Sequence, residues 1–386
     1  MHTVIVGGGF AGVKAALEIG KKQLGKVTLI SDVPYFLHHA TLYATATGKS
    51  NAESVIPLSE IFAEYHNVTV VLDSMSDLDT RRKLVIGVKK HYSYDTLIIA
   101  IGSVTTFFNI NGLAKHAFGI KSLREVSNFN DHIKDDIANG KHLDKNYFVI
   151  GAGPTGVELA GALHEYLTHL KAINHIPHDK IKVTLVEAAP SILPRASKTA
   201  QRIVGKRLRG LGIRVLTSHK VESLDESFIT IDGKKVPTET AIWTSGVANH
   251  PFFTTHTDLF DLGRTGRVEV DHYLRTRSGI YVIGDNNTVK FSGMAWPAFD
   301  QAEFVASHIA RVIARRPLKA FSPKQPPSGL PVGNHWGYVE WRGIYVAGLT
   351  GFAARRLMEL YGYLKLVRPG KAIATWRAHD IDQIDS

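Results

Sequence analysis

A strand, a glycine-rich turn and a helix follow one another twice in this chain, and that duplication limits what it can fold into. The first copy runs Val4-Ile5-Val6, then Gly7-Gly8-Gly9-Phe10-Ala11-Gly12, then a helical spacing through Leu17 and Ile19. The second runs Tyr147-Phe148-Val149-Ile150, then Gly151-Ala152-Gly153-Pro154-Thr155-Gly156, then Val157, Leu159, Ala160 and Leu163. A short apolar strand that turns straight into a helix begins a parallel βαβ unit, so the chain has to build two parallel sheets. Further β-branched runs support them: Val27 to Ile30, Val68 to Leu72, Thr96 to Ala100, Ile181 to Val186 and Gly279 to Ile283. A length of 386 residues fits two or three domains. No shorter repeat suggests a solenoid or propeller.

The spacing of each turn is that of a dinucleotide fingerprint. Gly7 and Gly151 make the tight turn, and Gly9 and Gly153 let the backbone approach a pyrophosphate. Gly12 and Gly156 bring helix and strand together, and the helix N-terminus offers free N–H groups. The fingerprint also requires an acid at the end of the second strand. Asp32 supplies it for the first copy, after Ser31, and Glu187 for the second. The Glu187 spacing is stretched by an apparent insertion over 172–180. A carboxylate at Glu187 accepts hydrogen bonds from a ribose diol and repels a 2′-phosphate, which favours NADH over NADPH. Two later strand ends carry the same kind of signal: Ala100-Ile101-Gly102-Ser103, and Ile283-Gly284-Asp285, where aspartate can hold polyol hydroxyls.

Composition removes several alternatives. The chain has no cysteine, so disulfides, thiolate metal sites, cysteine nucleophiles and redox-active cysteine pairs are excluded. No histidine spacing among His38, His39, His175, His178 and His335 is backed by carboxylates, and no metal is expected. The net charge of +11 invites an anionic partner. The expectation is an anionic membrane surface and not nucleic acid. The most apolar late stretch, 343–354, is too short to span a bilayer, and no signal-peptide pattern precedes the first strand. The chain is expected on the cytoplasmic side.

The two loops in this order, the Gly102 strand end and the late Gly284-Asp285 resemble the two-dinucleotide-binding flavoprotein superfamily. Gly153 to Gly161 and Ala241-Ile242-Trp243-Thr244-Ser245-Gly246-Val247 are similar, more closely, to type II NADH dehydrogenases, membrane-associated NADH:quinone oxidoreductases that do not pump protons. The resemblance implies an α/β chain of two Rossmann-like domains plus a C-terminal amphipathic membrane-associating module. An FAD domain would comprise residues 1–110 and 246–320, an NADH domain 111–245, and a membrane or dimerisation module 321–386. FAD would meet Gly7, Gly9, Gly12, Asp32, Gly102 and Asp285, although the family usually places its ribose acid where Ser31 stands. NADH would meet Gly151, Gly153, Gly156 and Glu187. Glu158 matches a family glutamate near the nicotinamide and is the candidate catalytic residue.

The quinone segment departs from the family pattern. Two family glutamines are replaced by Trp296 and Asp300 in Ala295-Trp296-Pro297-Ala298-Phe299-Asp300-Gln301. Trp296, Ala298, Asp300 and Gln301 are the candidate quinone residues, with Pro297 expected at the first helical position. The departure leaves a second reading open, an FAD-dependent NADH oxidoreductase whose acceptor is oxygen or a soluble carrier.

After a Pro-rich stretch from Pro317 to Pro331, read as a linker, Phe352, Leu357, Leu360, Tyr361 and Leu364 fall at helical spacing. Arg355, Arg356, Lys365 and Arg368 lie among them. That mixture predicts a helix in the headgroup plane of an anionic membrane. A homodimer is the other expected partner.

Overall fold

The computed structural model describes residues 1–138, 146–175 and 181–381. Its first sheet has five parallel strands in the order Tyr281–Val282, Thr96–Ile99, His2–Val6, Lys26–Ser31 and Val68–Leu72. Val4, Ile5, Leu29 and Ile98 lie fully buried in it, as parallel strands covered on both faces require. Helices Phe10–Lys21 and Ala295–Ile313 pack against each other over this sheet. The edge strand Tyr281–Val282 comes from far along the chain, so this sheet is built from two separate stretches of it. The chain leaves it through Ser103–Thr105 and returns through Val247–Asn249, and these two strands pair antiparallel.

The second sheet, also parallel, has the order Arg214–Thr217, Lys182–Glu187, Asn146–Ile150 and Thr240–Trp243. Helix Pro154–Ile173 follows its glycine turn. That helix takes in the first two residues of the apparent insertion, and 176–180, with His178, lie outside the described residues.

Three local expectations need correction. The run Gly279 to Ile283 forms only a two-residue strand, because its chain turns at once into a 3-10 element over Gly284–Asn286. Pro297 is the third residue of its helix, which begins at Ala295; proline is tolerated there because first-turn N–H groups have no helical partner. The proline-rich stretch ends in an edge strand, Ser328–Pro331, whose Pro331 pairs with Gly337.

Beyond it, Gly337–Trp341 and Ile344–Gly348 complete a three-stranded antiparallel sheet, followed by helices Leu349–Leu364 and Pro369–Arg377. The sheet leans on the second domain, where Ser197 Oγ donates to Glu340 Oε2 at 2.6 Å and Arg207 Nε donates to the Val332 carbonyl at 3.1 Å. The helices lean on the first. Lys365 pairs with Glu303 at 2.9 Å, Lys371 with Glu60 at 2.7 Å, and Arg368 with Glu64. The module therefore straps both domains together.

Candidate functional site

Each glycine turn divides its labour in the same way. A Cβ on Gly7 would overlap the Ala100 carbonyl, one on Gly151 would strike Ser245, and those on Gly12 and Gly156 would overlap the carbonyls of Gly7 and Gly151. Gly7 and Gly151 also hold φ of 115° and 106°, which an L side chain would strain. The middle glycines differ. A Cβ on Gly9, on Gly153 or on Gly102 would meet nothing within 4 Å. Those positions face open space, which a ligand backbone needs and packing does not.

Gly9 and Gly153 are the N-caps of their helices. Neither N-terminus carries a side-chain cap or an acidic residue in its first turn. Both therefore present unsatisfied N–H groups and a positive dipole end to the open space. This geometry fits the pyrophosphates of FAD and of NADH.

At the rim of the second turn, Glu187 receives the Ala152 N–H on Oε2 at 2.7 Å and the Ala189 N–H on Oε1 at 2.8 Å. Its carboxylate is thereby fixed beside the loop. At the first turn the strand register distinguishes Ser31 from Asp32. Val6 pairs with Ile30 as Ile150 pairs with Val186, so the residue equivalent to Glu187 is Ser31. Asp32 lies one residue further and is exposed. The strand ends at Ser31, and Asp32 begins the bend that follows it.

Asp285 and Gly102 converge at the mouth of the first domain. Asn286 Nδ2 donates to the Gly102 carbonyl at 2.7 Å, its Oδ1 accepts the Gly102 N–H at 2.9 Å, and Ser103 Oγ donates to Asp285 Oδ2 at 3.0 Å. Lys121, from the second domain, donates to Ser103 Oγ at 3.2 Å and to its carbonyl oxygen. Burial pushes the Lys121 amine down. Sequence reading missed Asn286 and Lys121, since neither sits at a fingerprint spacing.

The expectation of Gln301 needs correction. It is fully buried, and its Oε1 accepts from the Gly284 N–H and from Asn287 Nδ2, both at 2.8 Å, while Nε2 donates to Ser292 Oγ at 3.1 Å. Gln301 braces the Gly284 turn and has no polar atom to offer a quinone. Ala298 is also buried, with only Trp296 and Asp300 partly open to solvent. The Trp296 ring stacks on Tyr361 of the C-terminal helix, centroids 5.0 Å apart. Burial raises the Asp300 carboxyl, against the charges of Lys324 and Lys365.

Glu158, one turn into the second helix, is buried, and desolvation lifts its carboxyl to about 8 despite the opposing charge of Arg355. Arg355 belongs to a cluster that sequence reading could not assemble. It pairs with Glu359 at 2.8 Å, Arg356 pairs with Glu359 at 2.5 Å and Glu53 at 2.8 Å, and His379 Nδ1 lies 2.9 Å from Glu53 Oε2. Arg355 and Arg356 were expected to be exposed cations, but both are buried. Lys365, Arg368 and Lys371 are paired with acids of this chain as well, although Arg368 and Lys371 stay exposed at the surface. His38, among the rings of Phe10, Phe36 and Tyr363, is held neutral, its pKa driven down to about 3 by burial.

Two nucleotide cradles on two parallel sheets define the class, and residues 1–302 match the pyridine nucleotide-disulphide oxidoreductase family, to which the chain belongs. Within it, the chain belongs with the type II NADH:quinone oxidoreductases. It is 30% identical over 339 residues to the Type II NADH:quinone oxidoreductase Ndh of Mycobacterium tuberculosis, covering 81% of this chain and 73% of that one. To the Staphylococcus aureus Type II NADH:quinone oxidoreductase it is 26% identical, covering 94% and 95%. The fold superposes on NDH2 from Plasmodium falciparum in complex with NADH with a TM-score of 0.87 over 98% of this chain and 97% of that one, at 19% identity. The disulfide chemistry in the broader family's name is closed to a chain with no cysteine.

Proposed function

We propose that this protein is an FAD-dependent NADH:quinone oxidoreductase that does not pump protons. The observation that carries the reading is the pair of uncapped glycine turns, each open at its middle glycine and closed at its outer two. Bound FAD would supply the redox chemistry, taking hydride from NADH and passing two electrons to a quinone. The chain's own residues align and discriminate. Gly9 and Gly153 admit the pyrophosphates. Glu187 meets the NADH ribose and opposes a 2′-phosphate. Gly102 and Asp285, bonded through Asn286 and Ser103, frame the flavin's polyol. Glu158 keeps its carboxyl proton at neutral pH beside Arg355, where it can hold or release that proton near the nicotinamide. Trp296, Ala298 and Asp300 form the quinone-side wall.

Anaerobic reduction by NADH, followed by separate reoxidation with ubiquinone, menaquinone and oxygen, tests this. Bleaching by NADH and rapid recovery with a quinone are expected. Recovery with oxygen alone would favour the non-quinone reading, to which the Trp296–Tyr361 stack lends support by covering one face of the tryptophan.

The C-terminal module is read as the membrane-facing part. Leu349, Leu357, Tyr361 and Leu364 are exposed along one helix, and Trp341, Ile344, Tyr345 and Val346 continue the apolar surface onto the adjoining hairpin. Contiguous apolar surface of this kind marks an interaction site. No helix among the described residues is long and apolar enough to cross a membrane, so attachment would be peripheral, on the cytoplasmic face where NADH is available. A homodimer is the competing occupant of the same surface.

A further inference from the structure

The net charge of +11 is not spread evenly over the molecule. Helix Lys198–Gly210 of the second domain carries five basic residues and no acid. Ala200, Val204 and Leu208 bury one side of it. Lys198, Arg202, Lys206 and Arg209, at steps of four, four and three, share another face and are exposed. Arg195 before the helix and Arg214 after it are exposed as well. Among the described residues none of these six is paired with an acid. The hydrogen bonds and ion pairs of the helix reach two acids, Glu340 through the N-cap Ser197 at 2.6 Å and Glu165 through Arg207 at 3.7 Å. Like charges at this spacing weaken a helix, so the stripe is a cost to the fold. It lies beside the nucleotide mouth. Thr217 pairs with Glu187 across the neighbouring strands. A cavity of about 270 Å³ is lined by Thr217, by Pro190 and Ser191 of the loop after Glu187, and by Gln201 and Arg209 of the helix. A Cβ on Gly205 would lie 3.5 Å from both Arg209 Nη1 and Ile192 Cδ1, so the Arg209 guanidinium folds back toward that loop.

We propose that this basic face gathers the NADH dianion to the second glycine turn, raising its rate of association without holding the bound nucleotide. The inference rests on NADH occupying that turn. Charges of one sign beside a cleft concentrate a ligand of the other sign and raise association rates by about 10- to 1,000-fold. Their reach is the Debye length, about 20 Å at about 0.02 M salt and about 3 Å at 1 M. A helix of 13 residues is about 20 Å long. At low salt the whole stripe therefore acts at the mouth, and at high salt little of it does. The field attracts without discriminating: a 2′-phosphate adds charge and is drawn in more strongly still. Glu187, fixed by the Ala152 and Ala189 amides, turns it away at contact. Long-range capture and short-range choice thus fall to different residues of one domain.

The test reads association and not turnover. The tetrahydro analogue of NADH has the same charge and no hydride to give, and its binding to the FAD-loaded protein is followed by stopped-flow fluorescence. Wild type is compared with the quadruple variant Lys198→Gln, Arg202→Gln, Lys206→Gln and Arg209→Gln. At about 0.02 M salt the variant should associate about tenfold more slowly, and at about 1 M the two proteins should converge. The dissociation rate should stay within about twofold, because exposed charges away from the bound ligand contribute little. Each half of the variant, Lys198→Gln with Arg202→Gln or Lys206→Gln with Arg209→Gln, should show about threefold of the loss. Flavin bleaching by reduced nicotinamide riboside, which has no phosphate, should be the same in every protein and reports that the fold is intact. The proposal fails if the association rates of wild type and variant depend on salt in parallel. It also fails if association is equal and dissociation is faster in the variant, since the cations would then touch the bound nucleotide. Parallel salt dependence, with wild type alone retained on heparin, would assign the face to a polyanionic macromolecule instead. Failure of the underlying assignment looks different: NADH would then bleach the wild type at no salt concentration.

Discussion

Glu158→Gln should turn the buried carboxyl into a measurable dependence of stability on pH. The side chain is buried, and burial raises its pKa from 4.5 to about 8, with Glu359 adding to the shift and Arg355 opposing it. In the unfolded chain the carboxyl ionises near 4.5, while in the native protein it keeps its proton to about 8. The native state thus binds more protons through this window, and folding stability falls as pH rises across it. The carboxyl's contribution is fully present below 4.5 and is lost as pH rises through about 8. Glutamine has the shape of the protonated acid and no titration, so the variant should gain on the wild type from pH 5 to pH 8. At about 1.4 kcal/mol per pH unit, the full shift from 4.5 to about 8 caps the gain at about 5 kcal/mol. Urea unfolding of both proteins at pH 5.5, 7.0 and 8.5 measures it. Stability curves that run parallel across that range would refute the reasoning, because a carboxyl ionised in the native state gives no such divergence.

Three other outcomes follow from the same geometry. Glu187→Gln should narrow the preference for NADH over NADPH, chiefly through the apparent affinity for NADPH, since the 2′-phosphate would no longer face a full charge; comparable efficiencies with both nucleotides in the wild type would remove Glu187 from that role. Arg356→Leu should destabilise the fold by about 3–5 kcal/mol, the cost of stripping a buried carboxylate of its partner, because Glu53 and Glu359 share that guanidinium; a loss under about 1 kcal/mol, as for an exposed pair, would mean that His379 and Arg355 suffice. Trp296→Ala should slow quinone turnover while leaving flavin reduction by NADH intact, and faster quinone turnover would identify the ring as a plug.

The fingerprint glycines were legible because their roles depend on neighbours within a few residues. The tight turn, the open middle position and the helix–strand contact are all local, and Gly7, Gly9 and Gly12 behave accordingly. That Ser31, and not the acid Asp32, stands at the register position of Glu187 was not legible in the sequence, because the strand's end is set by its pairing with His2–Val6. Gln301 fits a family pattern but is claimed by the Gly284 turn, whose backbone N–H needs an acceptor. The Glu53–Arg356 pair had no local signal at all. Its members are separated by most of the chain, and an arginine beside leucines at helical spacing reads equally well as an exposed cation. The helix Leu349–Leu364 was legible from its apolar spacing, but the side of it that carries charge was not.

That inversion changes how the molecule would hold a membrane. If the helical cations faced lipid, each would add about 1 kcal/mol of attraction to an anionic surface, and the binding would collapse as salt screened it. Arg355 and Arg356 are instead buried against Glu53 and Glu359, and Lys365, Arg368 and Lys371 are paired with Glu303, Glu64 and Glu60. The surface left to meet a bilayer is Leu349, Leu357, Tyr361 and Leu364 with the Trp341–Val346 hairpin, where Arg342 lies over the Trp341 ring. Burial of that apolar area is insensitive to screening. Pelleting with liposomes should therefore persist at about 0.5 M salt, where the Debye length falls to about 4 Å, and should differ little between neutral and anionic lipid. Leu357→Ser with Leu364→Ser should abolish it without disturbing the ion pairs beneath. The alternative fails these measurements in a recognisable way: a protein that ignores liposomes in every condition, and whose sedimentation drops from dimer to monomer in the double variant, uses this face to bind a second copy of itself.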